Sequence, residues 1–221
     1  IYNWIRKDEE LKRYLIPFQT LRNETDGLAF IYKHQSVVLK SDKGASGQGI
    51  LIVQVKEGYF EVLDQQYTHH MDEQQILELL KMLIPRKYCL QRMIQSVTSQ
   101  GYPFHIRVHV TKSGMGQWTI GFCSPAISLD PDVKITNSEH SFRVTPTWSL
   151  FLAQHLNEEP GGETDLHIQR YAIQLAQFME KQLDGGFHEL GLDIGLDEQG
   201  NIWMFEAGIG LPGAVFHLLE M

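Results

Sequence analysis

The chain has 221 residues, of which 43% are hydrophobic and 21% are charged, and its formal net charge is -8. This composition is that of a folded globular protein and argues against a disordered chain. Without a basic cluster, the negative charge argues against nucleic acid as the main partner, because a phosphate backbone would repel the chain. No apolar run reaches the ~18 residues of a membrane span, and no signal peptide is recognisable. We therefore expect a cytoplasmic protein in which Cys89 and Cys123 are reduced and buried in apolar runs rather than joined in a disulfide.

The first half of the chain predicts strands around a glycine-rich loop, with a helix on either side. The stretch DEELKRYLIP predicts a short amphipathic helix that Asp8 caps and that ends before Pro17. The β-branched runs SVVLK and GILIVQV flank the loop, and GYFEVLD follows a turn signal at Glu57-Gly58, so we expect two or three antiparallel strands. In MDEQQILELLKMLIP, apolar residues recur at helical spacing and Pro85 provides a stop, which predicts a second helix.

The second half predicts longer strands, one long helix and a closing hairpin. YCLQRMI predicts a short strand, and PFHIRVHVTKSG alternates between an apolar face and a cationic face that carries His105, Arg107 and His109. GQWTIGFCSP predicts the next strand, and residues 130–162 predict loops with one short helix. TDLHIQRYAIQLAQFMEKQLDGG predicts a helix capped by Thr164, and ELGLDIGLD with IWMFEAG predicts a β-hairpin. Segregated strands and helices favour an α+β fold.

The stretch VVLKSDKGASGQGI ends a strand at Lys40 and then places three glycines within six residues. Glycine tolerates positive φ and exposes backbone N–H groups, so such a loop can close over a phosphate, with Lys40 as a positive charge at its base. It is not a Walker loop, because the GK[ST] ending is absent and no helix follows. The alternative is a glycine-rich hairpin loop without a ligand, beside a lysine whose stem packs at the strand end.

Asp193 and Glu206 lie thirteen positions apart, one on each arm of the predicted hairpin. Two carboxylates on adjacent rigid strands suit Mg²⁺, which takes one or two of them and completes its shell with water and nucleotide phosphates. The alternative is that either acid simply faces solvent. Glu206 follows the apolar run IWMF, and a carboxylate close to the core needs a partner, which favours the metal hypothesis.

Arg107 is a candidate for stabilising negative charge on a phosphoryl or acyl-phosphate group. It lies between His105 and His109 on one face of a predicted strand. A plain cross-strand salt bridge is the alternative role for Arg107, and packing is the alternative role for the two histidines. The sequence pattern leaves both alternatives open.

Taken together and in this order, these stretches resemble an ATP-grasp domain, and specifically the spore-coat-associated YheC/YheD-type ATP-grasp proteins of spore-forming bacteria. The matching stretches are NWIRKDEELKRYLIP, VVLKSDKGASGQGI, YCLQRMI, FHIRVHV with GQWTIGF, and ELGLDIGLDEQGNIWMFEAG, and they extend over most of the chain. The resemblance implies an α+β ATP-grasp fold in which two lobes hold ATP between two antiparallel sheets. It implies a smaller lobe over residues 1–90 with the glycine-rich loop, a larger lobe over 91–221 with the metal-binding hairpin, and an N-terminal domain missing from this chain.

The resemblance also implies a role for each matching residue. Lys40 would contact the α- and β-phosphates, the loop from Ser41 to Gly49 would cover the triphosphate, and a hinge at positions 91 to 94 would hydrogen-bond adenine. The implied cofactor-binding residues are Lys40, Ser41, Lys43, Gly44, Gly47, Gly49, Gln91, Met93 and Ile94. Arg107 would be the catalytic arginine facing the γ-phosphate and the acyl phosphate. Asp193 and Glu206 would be the magnesium ligands.

Members of this superfamily activate a carboxylate as an acyl phosphate and join it to an amine. We therefore expect an ATP- and Mg²⁺-dependent carboxylate-amine ligase with an unidentified acid and amine as substrates, and association with the spore coat. Three departures concern the chemistry: Gly208 replaces the asparagine of the usual Glu-x-Asn, His105 replaces the aspartate of Asp-x-Arg, and a glycine pair is missing near ITNSEHSFRVTP, where Arg143 is a candidate substitute. These departures leave a second expectation open, that of a catalytically impaired nucleotide-binding or spore-coat-associated protein.

Overall fold

The computed structural model of the protein describes residues 1–41, 49–64, 67–131 and 143–209. Helices α1 to α5 span Tyr2–Ile5, Glu24–His34, Glu73–Leu83, Trp148–Phe151 and Glu163–Gln182. Strands β1 to β11 span Phe18–Thr20, Ser36–Ser41, Leu51–Lys56, Tyr59–Leu63, Thr68–Met71, Tyr88–Arg92, Phe104–Lys112, Trp118–Ser128, Arg143–Val144, Glu189–Leu196 and Ile202–Ile209. Turns of 3₁₀ helix cover Leu11–Tyr14 and Ile84–Arg86, and a π-helical turn covers Leu152–Leu156. The named strands pair antiparallel in two sheets, which confirms the α+β prediction.

The chain divides into two compact units. The small unit contains Ile16–Ile94, and the described part of the large unit contains Ile1–Leu15, Gln95–Pro131 and residues 143–209. The sequence instead predicted a boundary between residues 90 and 91, which placed the first fifteen residues in the smaller lobe. Those fifteen residues belong to the large unit because Ile5, Leu11 and Tyr14 are buried in its core.

The small unit is a six-stranded sheet in the order β1-β6-β2-β3-β4-β5, with α2 and α3 packed against it. The apolar alternation of β2 buries Val37 and Leu39 completely. Helix α3 begins with a capping box, in which the Asp72 carboxylate accepts from the Gln75 N–H at 2.8 Å and the Gln75 side chain accepts from the Asp72 N–H at 2.9 Å. Strands β2, β3, β4 and β6 and helix α3 were predicted, whereas β1, α2 and β5 were not.

The large unit is a five-stranded sheet in the order β11-β10-β7-β8-β9, and α5 covers one of its faces. Leu190, Leu192 and Ile194 of β10 are fully buried against α5 and its neighbours. Lys112 pairs with Glu180 of α5, and the Trp118 indole N–H donates to the same carboxylate at 2.7 Å, which ties the helix to β7 and β8. In the ranges that the structure describes, no helix combines the length and the hydrophobicity needed to cross a membrane.

The N-terminus of α5 is fixed by two carboxylates rather than by the predicted cap. The cap position is Gly162, and Thr164 lies inside the first turn, where its N–H and hydroxyl donate to Glu158. Asp165, only 2% exposed, accepts from the Gly161 N–H at 2.7 Å, the Trp148 indole N–H at 3.0 Å and the Gln169 amide at 2.7 Å. Asp165 therefore joins α4 and the loop before α5 to the helix itself.

Candidate functional site

One face of the large sheet carries the predicted catalytic arginine and the two predicted metal ligands. Along β7 the side chains of Phe104, Ile106, Val108 and Val110 are buried in the core. His105, Arg107 and His109 alternate with them and therefore lie on the opposite face, as predicted. We call this opposite face, with its continuation on β8, β10 and β11, the polar face.

Strand register aligns Arg107, Asp193 and Glu206 in one row across the polar face. Arg107 of β7 is the partner of Asp193 of β10, and Asp193 is in turn the partner of Glu206 of β11. Ser124 of β8 pairs with Arg107 on its other side and extends the row to four strands. Directly opposed residues of an antiparallel sheet point to the same face, so register brings these side chains together.

A β-bulge at Phe205 decides which way Glu206 points. Asp193 pairs with Glu206 and Ile194 pairs with Met204, so Phe205 is an extra residue on β11. Without the bulge, Glu206 would share the face of Met204, which is fully buried. With it, Ala207 packs against the core and Glu206 is exposed. The expectation that Glu206 lies close to the core is therefore wrong. Its pairing with Asp193 also depends on the bulge, because without it Asp193 would lie opposite Phe205.

The bulge is tied to the rest of the large unit at two points. The Tyr2 hydroxyl donates to the Phe205 carbonyl at 2.8 Å. On the polar face, the Phe205 ring fills the space that a Cβ atom at Gly195 would occupy. A residue larger than glycine at position 195 would therefore displace this ring.

Arg107 and Asp193 form an ion pair with two close contacts, one of which is a hydrogen bond. The Arg107 Nε atom lies 2.6 Å from Asp193 Oδ1, and one terminal nitrogen donates to Oδ2 at 2.8 Å. Asp193 is 6% exposed, and the Arg107 side chain is 24% exposed. The cross-strand salt bridge that the sequence left open is therefore present, and it holds the guanidinium on the polar face.

The two histidines beside Arg107 contribute no positive charge near neutral pH. Burial is the main cause that lowers the pKa of His105 to about 4, and the charges of Arg107 and Arg143 lower it further. Burial also lowers the pKa of His109, while Glu189 opposes this shift. The His109 ring stacks on Phe122 with ring centroids 5.0 Å apart. The predicted cationic face of β7 is thus a face with one charged residue, Arg107, between two neutral imidazoles.

The donor chemistry of Asp193 and Glu206 fits Mg²⁺, because both supply hard oxygen atoms from paired positions on adjacent strands. Within the described ranges, no group of three or more His, Cys, Asp or Glu residues is arranged to hold a metal. Gly208, on the face of Glu206, offers no ligand, and a Cβ atom there would meet no atom within 4 Å. Water and phosphate oxygens would therefore complete the shell of a bound ion.

The base of the glycine-rich loop lies in the small unit. Lys40 and Ser41 end β2, where they pair with Cys89 and Tyr88 of β6. Gly49, at the far end of the loop, has a φ of 71°, and its carbonyl accepts from the Tyr88 hydroxyl at 2.8 Å. Strand β6 therefore holds both ends of the loop. Lys43, Gly44 and Gly47 lie outside the described residues.

The predicted adenine hinge follows β6. Gln91 is 4% exposed and pairs with Phe18 of β1 and Val38 of β2. The Met93 N–H donates to the Ser36 carbonyl at 2.9 Å, which fixes the backbone just beyond the strand. Ile94 ends the segment Ile16–Ile94 of the small unit. Lys40, Ser41, Gly49 and the hinge residues thus belong to the small unit, whereas Arg107, Asp193 and Glu206 belong to the large one.

Sequence reasoning missed two residues that organise these regions. Tyr88 lies in the apolar run KYCLQ, and a buried tyrosine needs a partner for its hydroxyl, which was a usable signal. Phe205 gave no signal, because a bulge changes neither the composition nor the hydrophobicity of a strand. The thirteen positions that separate the two acids along the chain do not show whether a bulge changes their register.

Comparison with known proteins agrees with this architecture. A family model described as YheC/D like ATP-grasp matches residues 1–216. The curated Bacillus subtilis (strain 168) protein named Endospore coat-associated protein YheD is 26% identical over 191 residues, which cover 82% of this chain and 40% of that protein. The chain thus spans less than half the length of this relative.

Solved structures share the fold at low sequence identity. An N5-carboxyaminoimidazole synthetase from Staphylococcus aureus, complexed with ADP, has a TM-score of 0.60 at 11% identity. The match covers 99% of this chain and 46% of the synthetase chain. The ATP-grasp ligase PsnB, complexed with a minimal precursor, has a TM-score of 0.58 at 10% identity, and the match covers 98% of this chain and 52% of the PsnB chain. D-alanyl-alanine synthetase A from Vibrio cholerae has a TM-score of 0.56 at 13% identity, and the match covers 90% of this chain and 52% of the synthetase chain. The chain belongs to the YheC/D-like ATP-grasp family.

Proposed function

We propose that this chain binds Mg·ATP and serves as the nucleotide-binding part of an ATP-dependent carboxylate-amine ligase. The observation that carries the proposal is the row of Arg107, Asp193 and Glu206 on one face of a sheet, in a chain that belongs to an ATP-grasp family. Lys40 lies in the last two residues of β2, at the base of the glycine-rich loop, where its charge would attract phosphate oxygens. The acid and the amine are unidentified, and residues 130–162 are the candidate segment that selects them.

In the proposed reaction, an oxygen of the acid substrate attacks the γ-phosphorus of ATP and ADP leaves. The nitrogen of the amine then attacks the acyl carbon, phosphate leaves, and the amine loses a proton. Arg107 would stabilise the negative charge on the transferred phosphoryl group, because its guanidinium lies on the polar face, beside the proposed metal ligands. Mg²⁺, held by Asp193 and Glu206, would neutralise charge on the nucleotide phosphates.

A second candidate function is nucleotide binding without group transfer, in a protein associated with the spore coat. Gly208 favours it, because this residue removes the side chain that completes the metal site in the usual Glu-x-Asn motif. The B. subtilis relative is itself named for its association with the endospore coat. Cytoplasmic location, or location at the spore coat, remains part of these proposals.

Thermal unfolding with and without Mg·ATP tests nucleotide binding. A ligand at about 100 times its Kd stabilises the chain that binds it by about 2.7 kcal/mol, so we expect a clear rise in Tm for the unmodified chain. Lys40→Ala should reduce this rise, whereas Lys81→Ala, which removes an exposed lysine from α3 of the same unit, should leave it unchanged. An unchanged Tm in Mg·ATP, with Lys40→Ala indistinguishable from the unmodified chain, would contradict the proposal.

Release of ADP separates the two candidate functions. A Cβ atom at Gly208 would meet no described atom within 4 Å, so Gly208→Asn should fold normally. If this variant releases ADP much faster than the unmodified chain when both are given mixed amino acids and Mg·ATP, the second candidate gains support. Robust ADP release by the unmodified chain with a defined acid and amine would instead establish the ligase.

A further inference from the structure

Asp193 has a different neighbour on each side. In the row across the polar face, Arg107 lies on one adjacent strand and Glu206 lies on the other. The guanidinium contacts both carboxylate oxygens, with Nε at 2.6 Å from Oδ1 and a terminal nitrogen at 2.8 Å from Oδ2. A cation placed at Glu206 would therefore share Asp193 with a partner that already contacts both of its oxygens.

The environment makes this sharing costly. Asp193 is 6% exposed, so water supplies little of the solvation that a carboxylate needs, and the adjacent guanidinium compensates part of this loss. The hydrogen bond from the guanidinium to Oδ2 is charge-assisted on both sides, which makes it stronger than a neutral hydrogen bond. Glu206 differs, because it is exposed and keeps its hydration. A single exposed carboxylate is a weak site for Mg²⁺, which dehydrates reluctantly.

We propose that Arg107 and a divalent cation compete for Asp193, so that the polar face binds a cation only weakly on its own and takes up its magnesium together with the nucleotide phosphates. This inference rests on the proposed function, because the phosphates supply both the anion that draws Arg107 away and the remaining ligands of the ion. Arg107 thus acts in two ways, as the phosphate-facing residue and as the group that occupies Asp193 until phosphate arrives.

The competition predicts how the metal affinity of Arg107 variants should change. Removing the guanidinium leaves Asp193 without its main cation, and a divalent ion is the strongest available replacement. Arg107→Met should therefore bind a divalent ion more tightly than the unmodified chain in the absence of nucleotide. Because a hydrogen bond to a charged group is worth about 1.5–3 kcal/mol, breaking one such bond predicts an increase in affinity of about tenfold or more.

The test is a titration of the full chain with Mn²⁺ alone, without nucleotide, followed by electron paramagnetic resonance of the free ion. Arg107→Met should raise the affinity about tenfold, and Asp193→Asn in the same background should abolish the gain. Arg170→Met removes an exposed arginine from α5 of the same unit and should behave like the unmodified chain. Equal affinities for the unmodified chain and Arg107→Met would overturn the inference, as would a gain that survives Asp193→Asn.

Two further measurements keep the test decisive. If Arg107→Met folds poorly, Arg107→Gln retains a donor to Asp193 without the positive charge and should shift Mn²⁺ affinity in the same direction. Mn²⁺ should also raise the Tm of either variant more than that of the unmodified chain, and an equal rise would contradict the competition. Failure of nucleotide binding would appear separately, as an absent Tm rise in Mg·ATP, because the Mn²⁺ titration contains no nucleotide.

Discussion

Replacement of Asp165 by alanine should destabilise the large unit strongly. The side chain is 2% exposed and accepts three hydrogen bonds, from Gly161, Trp148 and Gln169. Hydrogen bonds to a charged group are worth about 1.5–3 kcal/mol each, and partial rehydration of the exposed Gly161 recovers some of this, so we expect a loss of about 4 kcal/mol. For a unit of this size, that loss corresponds to a fall in Tm of about 8–15 °C.

Urea unfolding monitored by tryptophan fluorescence is a suitable assay, since Trp148 is one of the three donors. Glu163→Ala is the matched control, because it removes an exposed carboxylate from the same helical turn and should cost less than about 1 kcal/mol. Trp148→Phe, which removes only the indole donor, should show strong coupling to Asp165→Ala in a double-mutant cycle. A cost below about 1 kcal/mol for Asp165→Ala would refute the view that this carboxylate joins α4 to α5.

Two further predictions concern single side chains. Burial, with a smaller contribution from Asp165, raises the pKa of Cys123 from 9.0 to about 12. Its thiolate should therefore be about a thousandfold scarcer at pH 8 than that of an ordinary thiol, and iodoacetamide should label Cys123 correspondingly slowly until the chain is unfolded. Rapid labelling of folded protein, detected by mass spectrometry, would contradict this. Tyr88→Phe removes the hydroxyl that holds the Gly49 carbonyl and should lower the free energy of unfolding by about 1 kcal/mol, whereas Tyr59→Phe, at a half-exposed position, should change it little.

Most strands of the fold could be predicted because their patterns are local. Strict alternation in β7 predicted both the strand and the face of Arg107, and the runs ELGLDIGLD and IWMFEAG on either side of a turn predicted a hairpin with one carboxylate on each arm. Helix α2 could not be predicted in this way, because Gly27 interrupts its interior with a poor helix former. The structure gives the reason for this glycine, since a Cβ atom there would lie 2.8 Å from a Leu21 methyl group.

The candidate site was predictable in its residue types and not in its contacts. Sequence pattern placed Arg107 and Asp193 on two separate strands, and only the register of β7 with β10 makes them a pair. The charge state of His105 likewise depends on burial in three dimensions, which alternation along one strand cannot report. The cap of α5 was assigned to Thr164, whereas Gly162 occupies that position and Glu158 supplies the acceptor. That carboxylate comes from the preceding loop, where no helical pattern marks it.

The extra residue at Phe205 divides β11 into two stretches whose alternate residues point to opposite faces of the sheet. Ile202 and Met204, before it, must suit the packed interior, whereas Glu206 and Gly208, after it, face outward. Substitution at position 208 should therefore require no repacking of the interior, since a Cβ atom there meets no described atom within 4 Å. In the proposed magnesium site, a ligand side chain at position 208 could therefore be lost or regained without repacking the core, because this position lies on the outward face of β11.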